Sequence, residues 1–205
     1  VAPDVQGIVR PAAVELDAQY RAMREEAALV DRPGLVAIAV SGPDAADYLQ
    51  GQLTNDIEAP DAGRGCYSAL LDRKGHMQGD MRVLRTADGY LIDTEEVAGD
   101  AVVRHLSMYK IGREVSIEDV SAERTILSVV GPAANEVALG APLGPEHAHR
   151  EAQIGGVACL AVATDLTAIR TGLERVKVPV LQYRAAHSRA DRTRHLDELM
   201  GRALA

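Results

Sequence analysis

The feature that most constrains the fold is a group of three segments with strand-like patterns, closely spaced between residues 66 and 94. Arg73-Lys74-Gly75 separates the first segment from the second, and Asp88-Gly89 separates the second from the third. An Asp-Gly pair between two such segments is a strong signal for a tight hairpin. We therefore predict three consecutive antiparallel strands, over residues 66–72, 77–85 and 90–94.

The middle segment alternates in character, which indicates a strand with two different faces. One face carries Met77, Gly79, Met81 and Val83, and the other carries Gln78, Asp80, Arg82 and Leu84. We expect helices to cover one face of the sheet, and we expect the other face to meet a ligand or a second domain.

Apolar spacing and turn residues predict the remaining elements. Helices are expected at 12–30, 41–53, 99–109, 132–139 and 191–204, and strands at 35–40, 115–117, 125–130 and 157–164. Residues 140–150 are rich in Gly, Pro and His, so we expect a loop there with His147 and His149 in solvent.

This order of elements predicts an α+β fold with helices on one face of an antiparallel sheet. We expect a ferredoxin-like antiparallel subdomain over residues 41–118. It would be inserted into a second, discontinuous α+β subdomain built from residues 1–40 and 119–205.

Charge and hydropathy exclude several classes of partner. The chain has 22 basic and 30 acidic residues, a net charge of −8, which argues against nonspecific nucleic-acid binding. No apolar run reaches the roughly 18 residues that span a bilayer, and the first residues do not resemble a signal peptide. Cys66 and Cys159 form no metal-binding motif. We therefore expect a cytoplasmic protein with no bound metal.

Several short motifs stand in a distinctive order along the chain. They are Ser-Gly-Pro-Asp-Ala at 41–45, Tyr-Leu-Gln-Gly-Gln at 48–52, Thr-Asn-Asp at 54–56, Tyr67, and Lys74-Gly75 with Asp80 five residues after the glycine. In order and spacing they resemble the T-protein of the glycine cleavage system and its YgfZ relatives. The resemblance covers roughly residues 25–164, and the motif at 48–52 is closer to the YgfZ branch.

The resemblance implies tetrahydrofolate as cofactor and Asp80 as the catalytic carboxylate that faces it. T-proteins usually have two adjacent acids where this chain has Gly79-Asp80, and the retained second position is the one that the family uses against folate. Tyr67 and Thr94 match family positions near the ligand, and Arg82 is a candidate to contact the glutamate carboxylates of folate. The residues alone also allow an Asp80–Arg82 ion pair and a tyrosine in the core at position 67.

The resemblance weakens beyond residue 164. The family's Gly-Tyr-Thr-Gly-Glu motif, whose Glu holds the pterin, is replaced by Asp-Leu-Thr-Ala-Ile at 165–169. The Lys-Gly-Cys-Tyr signature of YgfZ proteins and the C-terminal barrel are also missing from this sequence. Losing a pterin-binding carboxylate would weaken folate binding, because pterin recognition relies on paired hydrogen bonds to a buried acid.

Three functions follow from this resemblance, and we favour the first over the other two. The first is a YgfZ-type folate-binding protein that supports iron–sulfur cluster assembly or repair, with iron–sulfur proteins as partners. The second is an aminomethyltransferase of the T-protein type, which moves a methylene group from an aminomethyl-lipoyl carrier protein to tetrahydrofolate. The third is a degenerate, non-catalytic scaffold that no longer binds folate.

Overall fold

The fold is built on two antiparallel sheets, and the computed structural model describes residues 13–32, 34–154, 157–165 and 177–184 of the chain. The helices are α1 (Ala13–Glu25), α2 (Ala45–Gln52), α3 (Glu96–Tyr109) and α4 (Ala134–Leu139). The strands are β1 (Ala28–Asp31), β2 (Leu35–Ser41), β3 (Arg64–Leu71), β4 (Met77–Thr86), β5 (Gly89–Glu95), β6 (Ser116–Asp119), β7 (Arg124–Val130), β8 (His149–Ile154), β9 (Val157–Asp165) and β10 (Lys177–Arg184).

Five of these strands form the sheet that we call the front sheet, in the order β3-β4-β5-β2-β6. Its centre is the predicted three-stranded meander, in which β4 pairs with β3 on one side and with β5 on the other. The other five form the back sheet, in the order β1-β7-β10-β9-β8. The fold is therefore α+β with antiparallel sheets, as the sequence predicts.

Helices α2 and α3 cover one face of the front sheet, which we call the helix face. Its core contains Leu49, Met81, Ile92, Val102 and Leu106, each at most 1% exposed. The fit of α3 on the sheet is close at two glycines. A Cβ atom on Gly79 would lie 2.9 Å from the Ala98 Cβ, and one on Gly99 would lie 2.7 Å from Val36 Cγ2. A side chain at either position would force α3 away from the sheet.

The opposite face of the front sheet packs against the back sheet, and we call it the inter-sheet face. Leu84 of β4 and Leu91 of β5 form a small buried cluster with Val162 of β9. A second cluster joins Ala37 of β2 to Ile126 of β7. The two sheets therefore form a sandwich, and the inter-sheet face changes from apolar to polar along β4.

The structure differs from the sequence prediction in three elements. The first helix ends at Glu25, and Ala28–Asp31 pairs with β7 as an edge strand. His149 begins strand β8 within the expected loop, and β10 lies at the centre of the back sheet where no strand was predicted. Pro179 lies in β10, and a proline argues against a central strand when only the sequence is considered. The predicted helix at 191–204 lies outside the described residues.

Strand β2 bears on the predicted division into subdomains. Leu35–Ser41 pairs with β5 and β6, so it belongs to the front sheet. The predicted boundary at residues 40 and 41 would separate this strand from its neighbours. If the subdomains follow the two sheets, the boundary between them lies before Leu35. The division of the chain into two subdomains stays a prediction.

Candidate functional site

Tyr67 and Asp80 meet on the inter-sheet face of the front sheet. In the β3–β4 register, Tyr67 lies opposite Arg82 and Ala69 lies opposite Asp80, so all four side chains share this face. The Tyr67 hydroxyl reaches diagonally along the strands and donates a hydrogen bond to Asp80 Oδ2. Tyr67 is 52% exposed, so its ring is available to a ligand.

The Tyr67 hydroxyl keeps its proton at neutral pH. The pKa of Tyr67 is raised to about 12. Burial of the hydroxyl contributes most to this rise, and the hydrogen bond to Asp80 comes next. The negative charges of Asp80, Glu95 and Asp93 add to it. Tyr67 is therefore a fixed donor and orients the Asp80 carboxylate. The second carboxylate oxygen of Asp80 is left to accept a hydrogen bond from a ligand.

Arg82 is held away from Asp80 by two other residues. Its Nε donates to Asp93 Oδ1 at 2.8 Å and its Nη2 donates to Asp93 Oδ2, which makes a bidentate ion pair across β4 and β5. Its Nη1 donates to Thr164 Oγ1 of β9 in the back sheet. Arg82 is only 8% exposed. The Asp80–Arg82 ion pair that the residues alone allow is therefore not formed, and the guanidinium of Arg82 is already engaged within the protein.

Thr94 lies on the opposite side of the sheet from the Asp80 carboxylate. It pairs with Met81 in the β4–β5 register, so its side chain points to the helix face, where it is 3% exposed. Its hydroxyl donates to the main-chain carbonyl of Asp80 at 2.7 Å. The structure therefore does not bring Thr94 to the ligand-facing side, but Thr94 fixes the backbone that carries Asp80.

The Thr-Asn-Asp motif at 54–56 supports the strand that carries Tyr67. Thr54 and the backbone of Ala69 exchange two hydrogen bonds, and Asn55 Nδ2 donates to the carbonyl of Tyr67 at 2.8 Å. Asn55 N also donates to Ser68 Oγ at 3.0 Å. Since β3 is an edge strand, these contacts occupy backbone groups that a sheet neighbour would otherwise pair with.

Two histidines line the back-sheet side of the same polar region, and the expectation that they lie in solvent is wrong. His149 is 7% exposed, and its two ring nitrogens lie 3.0 Å from the carbonyl oxygens of His147 and Arg85. The side chain of His147 is 12% exposed, and burial lowers the pKa of its imidazole. His147 therefore stays neutral at pH 7.

The chemistry of this region suits an organic ligand with N–H groups. An exposed aromatic ring lies beside a half-buried carboxylate, which matches a flat heterocycle that carries amines. Across the described ranges, no three His, Cys, Asp or Glu side chains are grouped as a metal site would need. No helix in those ranges is long and apolar enough to cross a membrane.

Sequence reasoning missed two residues of the polar network, Asp93 and Thr164. The turn after β4 pairs Thr86 with Gly89, and counting back along this hairpin places Asp93 opposite Arg82. The hairpin signal was therefore sufficient to find Asp93. Thr164 could not be found this way, because its contact with Arg82 joins two different sheets.

Comparisons with known proteins agree with this fold. Residues 8–168 match the model of the family described as the GCVT N-terminal domain. An aminomethyltransferase of Listeria monocytogenes is 31% identical over 122 residues, which is 60% of this chain and 34% of that protein. An aminomethyltransferase of Geobacillus thermodenitrificans is 31% identical over 120 residues, 58% of this chain and 33% of that protein. The chain thus spans about a third of the length of these relatives.

Two solved structures share the fold. Aminomethyltransferase T of the glycine cleavage system from Bartonella henselae superposes with a TM-score of 0.71 at 21% identity, over 90% of this chain and 48% of that one. A chain of the heterotetrameric sarcosine oxidase from Corynebacterium sp. U-96 gives a TM-score of 0.53 at 19% identity, over 96% of this chain and 97% of that one. At these identities the likeness is one of fold.

Proposed function

Because the chain belongs to the GCVT N-terminal domain family, we propose that it binds tetrahydrofolate at Tyr67 and Asp80 and serves aminomethyl transfer. The observation that carries this proposal is the hydrogen-bonded Tyr67–Asp80 pair on the inter-sheet face. A carboxylate that is oriented by a tyrosine and has one oxygen free is suited to hold an N–H group of folate. It also stabilises positive charge on that nitrogen during the transfer of a one-carbon group.

Each residue has a distinct part in this proposal. Asp80 accepts a hydrogen bond from the ligand, while Tyr67 supplies a ring surface and keeps the carboxylate in place. Thr94 fixes the Asp80 backbone from the helix face. Arg82 stays inside the protein, bound to Asp93. The glutamate carboxylates of folate therefore bind residues other than Arg82, the contact that we predicted from the sequence.

The relatives favour one of the three predicted functions. Those described above are aminomethyltransferases, so the T-protein interpretation is better supported than the YgfZ interpretation that we ranked first. The proposed reaction partner is accordingly a lipoyl carrier protein with an aminomethyl group rather than an iron–sulfur protein. A cytoplasmic location is part of the same proposal.

Anaerobic calorimetric titration with tetrahydrofolate tests the binding step. We expect saturable binding and a rise in the unfolding temperature of the chain. An assay of methylene transfer from an aminomethyl-lipoyl carrier then tests the reaction. Binding without transfer would support a folate-binding protein without this activity. Of the three functions predicted from the sequence, the absence of both heat and thermal shift would leave only the scaffold.

A specific observation supports a second candidate, a subunit of a hetero-oligomeric amine oxidase. This chain and the matched chain of the heterotetrameric sarcosine oxidase cover each other almost completely, at 96% and 97%. The aminomethyltransferase structure is covered only to 48%. In this alternative the chain acts as one component of a larger enzyme.

The native composition of the protein, isolated from its own source, distinguishes the two candidates. A complex with other chains that oxidises sarcosine would favour the oxidase subunit. A chain that runs alone and transfers a methylene group would exclude it.

A further inference from the structure

The buried Arg82–Asp93 pair lies next to Asp80, and its geometry has a consequence for the ligand site. Asp80 and Arg82 are two residues apart on β4 and share one face, so their Cα atoms are about 7 Å apart. An arginine side chain easily spans that distance. Within the described ranges, however, the Asp80 side chain has no partner other than Tyr67.

Asp93 accounts for this separation. It lies directly opposite Arg82 in the β4–β5 register, and it receives two hydrogen bonds from the guanidinium in the bidentate geometry that arginine prefers. Thr164 accepts a third from Nη1. All three contacts hold the guanidinium on the β5 and β9 side of β4, whereas Asp80 is bonded from the β3 side.

We propose that Asp93 is a positioning residue that holds the Arg82 guanidinium away from Asp80, so that Asp80 keeps its charge available for the ligand. This inference rests on the proposed function, in which Asp80 contacts tetrahydrofolate. The site has two carboxylates close to one arginine, and only the pairing with Asp93 leaves an anion at the half-buried position beside Tyr67. The other pairing would give a neutral Asp80–Arg82 pair where the ligand should bind.

The substitution Asp93→Asn tests this assignment, because an amide no longer competes for the guanidinium as a carboxylate does. We expect Arg82 to turn to Asp80, and the dissociation constant of tetrahydrofolate to rise roughly ten- to hundredfold, as for loss of one charge-assisted hydrogen bond. Asp47→Asn is the matched control. It also removes the carboxylate of an Arg–Asp ion pair, but this pair, formed with Arg113, lies away from the site. It should leave binding unchanged.

Second substitutions at Arg82 separate positioning from a purely structural role. In the Asp93→Asn background, Arg82→Met removes the cation and should restore binding to within about threefold of wild type. Arg82→Lys keeps a cation near Asp80 and should bind as weakly as the single variant. Unfolding temperatures of all variants are measured in parallel. If the two double variants bind alike, or if affinity simply follows stability, the proposal is wrong.

A ligand-free measurement keeps this test independent of the folate proposal. The Arg82 Nε–H signal in NMR spectra should respond to Asp80→Asn when Asp93 is replaced by Asn, and should not respond when Asp93 is present. The same response in both backgrounds, or in neither, overturns the role of Asp93. Failure of the wild-type chain to bind tetrahydrofolate would instead refute the proposed function, while the NMR result still decides where the guanidinium lies.

Discussion

The two faces of the front sheet are built from the same strands and serve different purposes. On the helix face, Met81 and Ile92 are at most 1% exposed. They share a buried core with Val102 and Leu106 of α3. On the inter-sheet face, the neighbouring positions hold Asp80 and Asp93, whose carboxylates are bound by side chains from adjacent strands. Alternation along β4 and β5 thus places apolar packing and polar chemistry within one residue of each other.

Because of this arrangement, we expect that the polar face can be changed with little effect on the fold. The helix face stabilises the front sheet through close apolar contacts. Gly79 of β4 and Gly99 of α3 make these contacts possible, because a Cβ atom at either position would clash across the interface. The Tyr67–Asp80 pair is partly exposed and belongs to none of the buried apolar clusters among the described residues. Substitutions on the helix face should therefore change mainly stability, and those at Tyr67 or Asp80 mainly binding.

The largest expected effect is on the helix face. Leu106 lies on the buried side of α3 and is 0% exposed, so Leu106→Ala should lower the free energy of unfolding by about 2–5 kcal/mol through loss of contacts and a residual cavity. Denaturant titration measures this. Val97→Ala, on the same helix at 93% exposure, is the control and should change stability by less than about 0.5 kcal/mol. Equal effects of the two substitutions would contradict the claim that buried contacts on the helix face stabilise the front sheet.

The next effect is on the inter-sheet face, at the tyrosine. Tyr67→Phe removes the hydroxyl that orients Asp80 but keeps the ring, so tetrahydrofolate binding should weaken by about 0.5–1.5 kcal/mol. The folded state should keep nearly its full stability. Calorimetry and thermal unfolding of the same samples test both statements, and a loss of stability without any loss of affinity would place Tyr67 among the packing residues instead.

The titration of Tyr67 should also reveal the anionic character of this face. Its pKa is raised from 10.0 to about 12 in the folded protein, so the fold favours the protonated hydroxyl. The associated stability is complete below pH 10 and is lost as the pH rises toward 12. Ultraviolet difference titration of wild type against Tyr67→Phe isolates this group from Tyr48, whose pKa is also raised to about 12. Ionisation of Tyr67 near pH 10 would contradict the hydrogen bond to Asp80.

The smallest effect is expected away from both faces. Arg113 and Asp47 form an exposed ion pair whose side chains are 45% and 66% accessible. Arg113→Ala should change the free energy of unfolding by no more than about 1 kcal/mol, because solvent screens such pairs. Tetrahydrofolate binding should not change. A measurable loss of affinity would show that the site extends beyond the inter-sheet face.

The sequence predicted the local part of this site because strand alternation and the Asp-Gly turn are local signals. They placed Asp80 and Arg82 on one face, and the meander that holds them is confirmed. The partner of Arg82 was not found, because Arg82 was considered together with Asp80 of the same strand and not with Asp93 of the neighbouring strand β5. Applying the same register to Thr94 would have assigned it to the helix face.

The back sheet was harder to predict because its order depends on contacts between distant segments. Its edge strand β1 follows a helix whose apolar spacing appeared to continue through Val30. Its central strand β10 contains Pro179 and lies between β9, the strand before it in the chain, and β7, which comes much earlier in the chain. Such pairings follow from tertiary packing, which overrides the local propensity of short segments.

The role of Asp80 is tested best by comparing two Asp→Asn substitutions on the front sheet. Asp80→Asn removes the charge proposed to face the folate, whereas Asp88→Asn makes the same change in the exposed turn between β4 and β5. In anaerobic titrations with tetrahydrofolate, we expect Asp80→Asn to lose about 1.5–3 kcal/mol of binding free energy at unchanged stability. Asp88→Asn should bind as wild type does. If Asp80→Asn binds tetrahydrofolate as tightly as Asp88→Asn, Asp80 is not the folate-facing carboxylate.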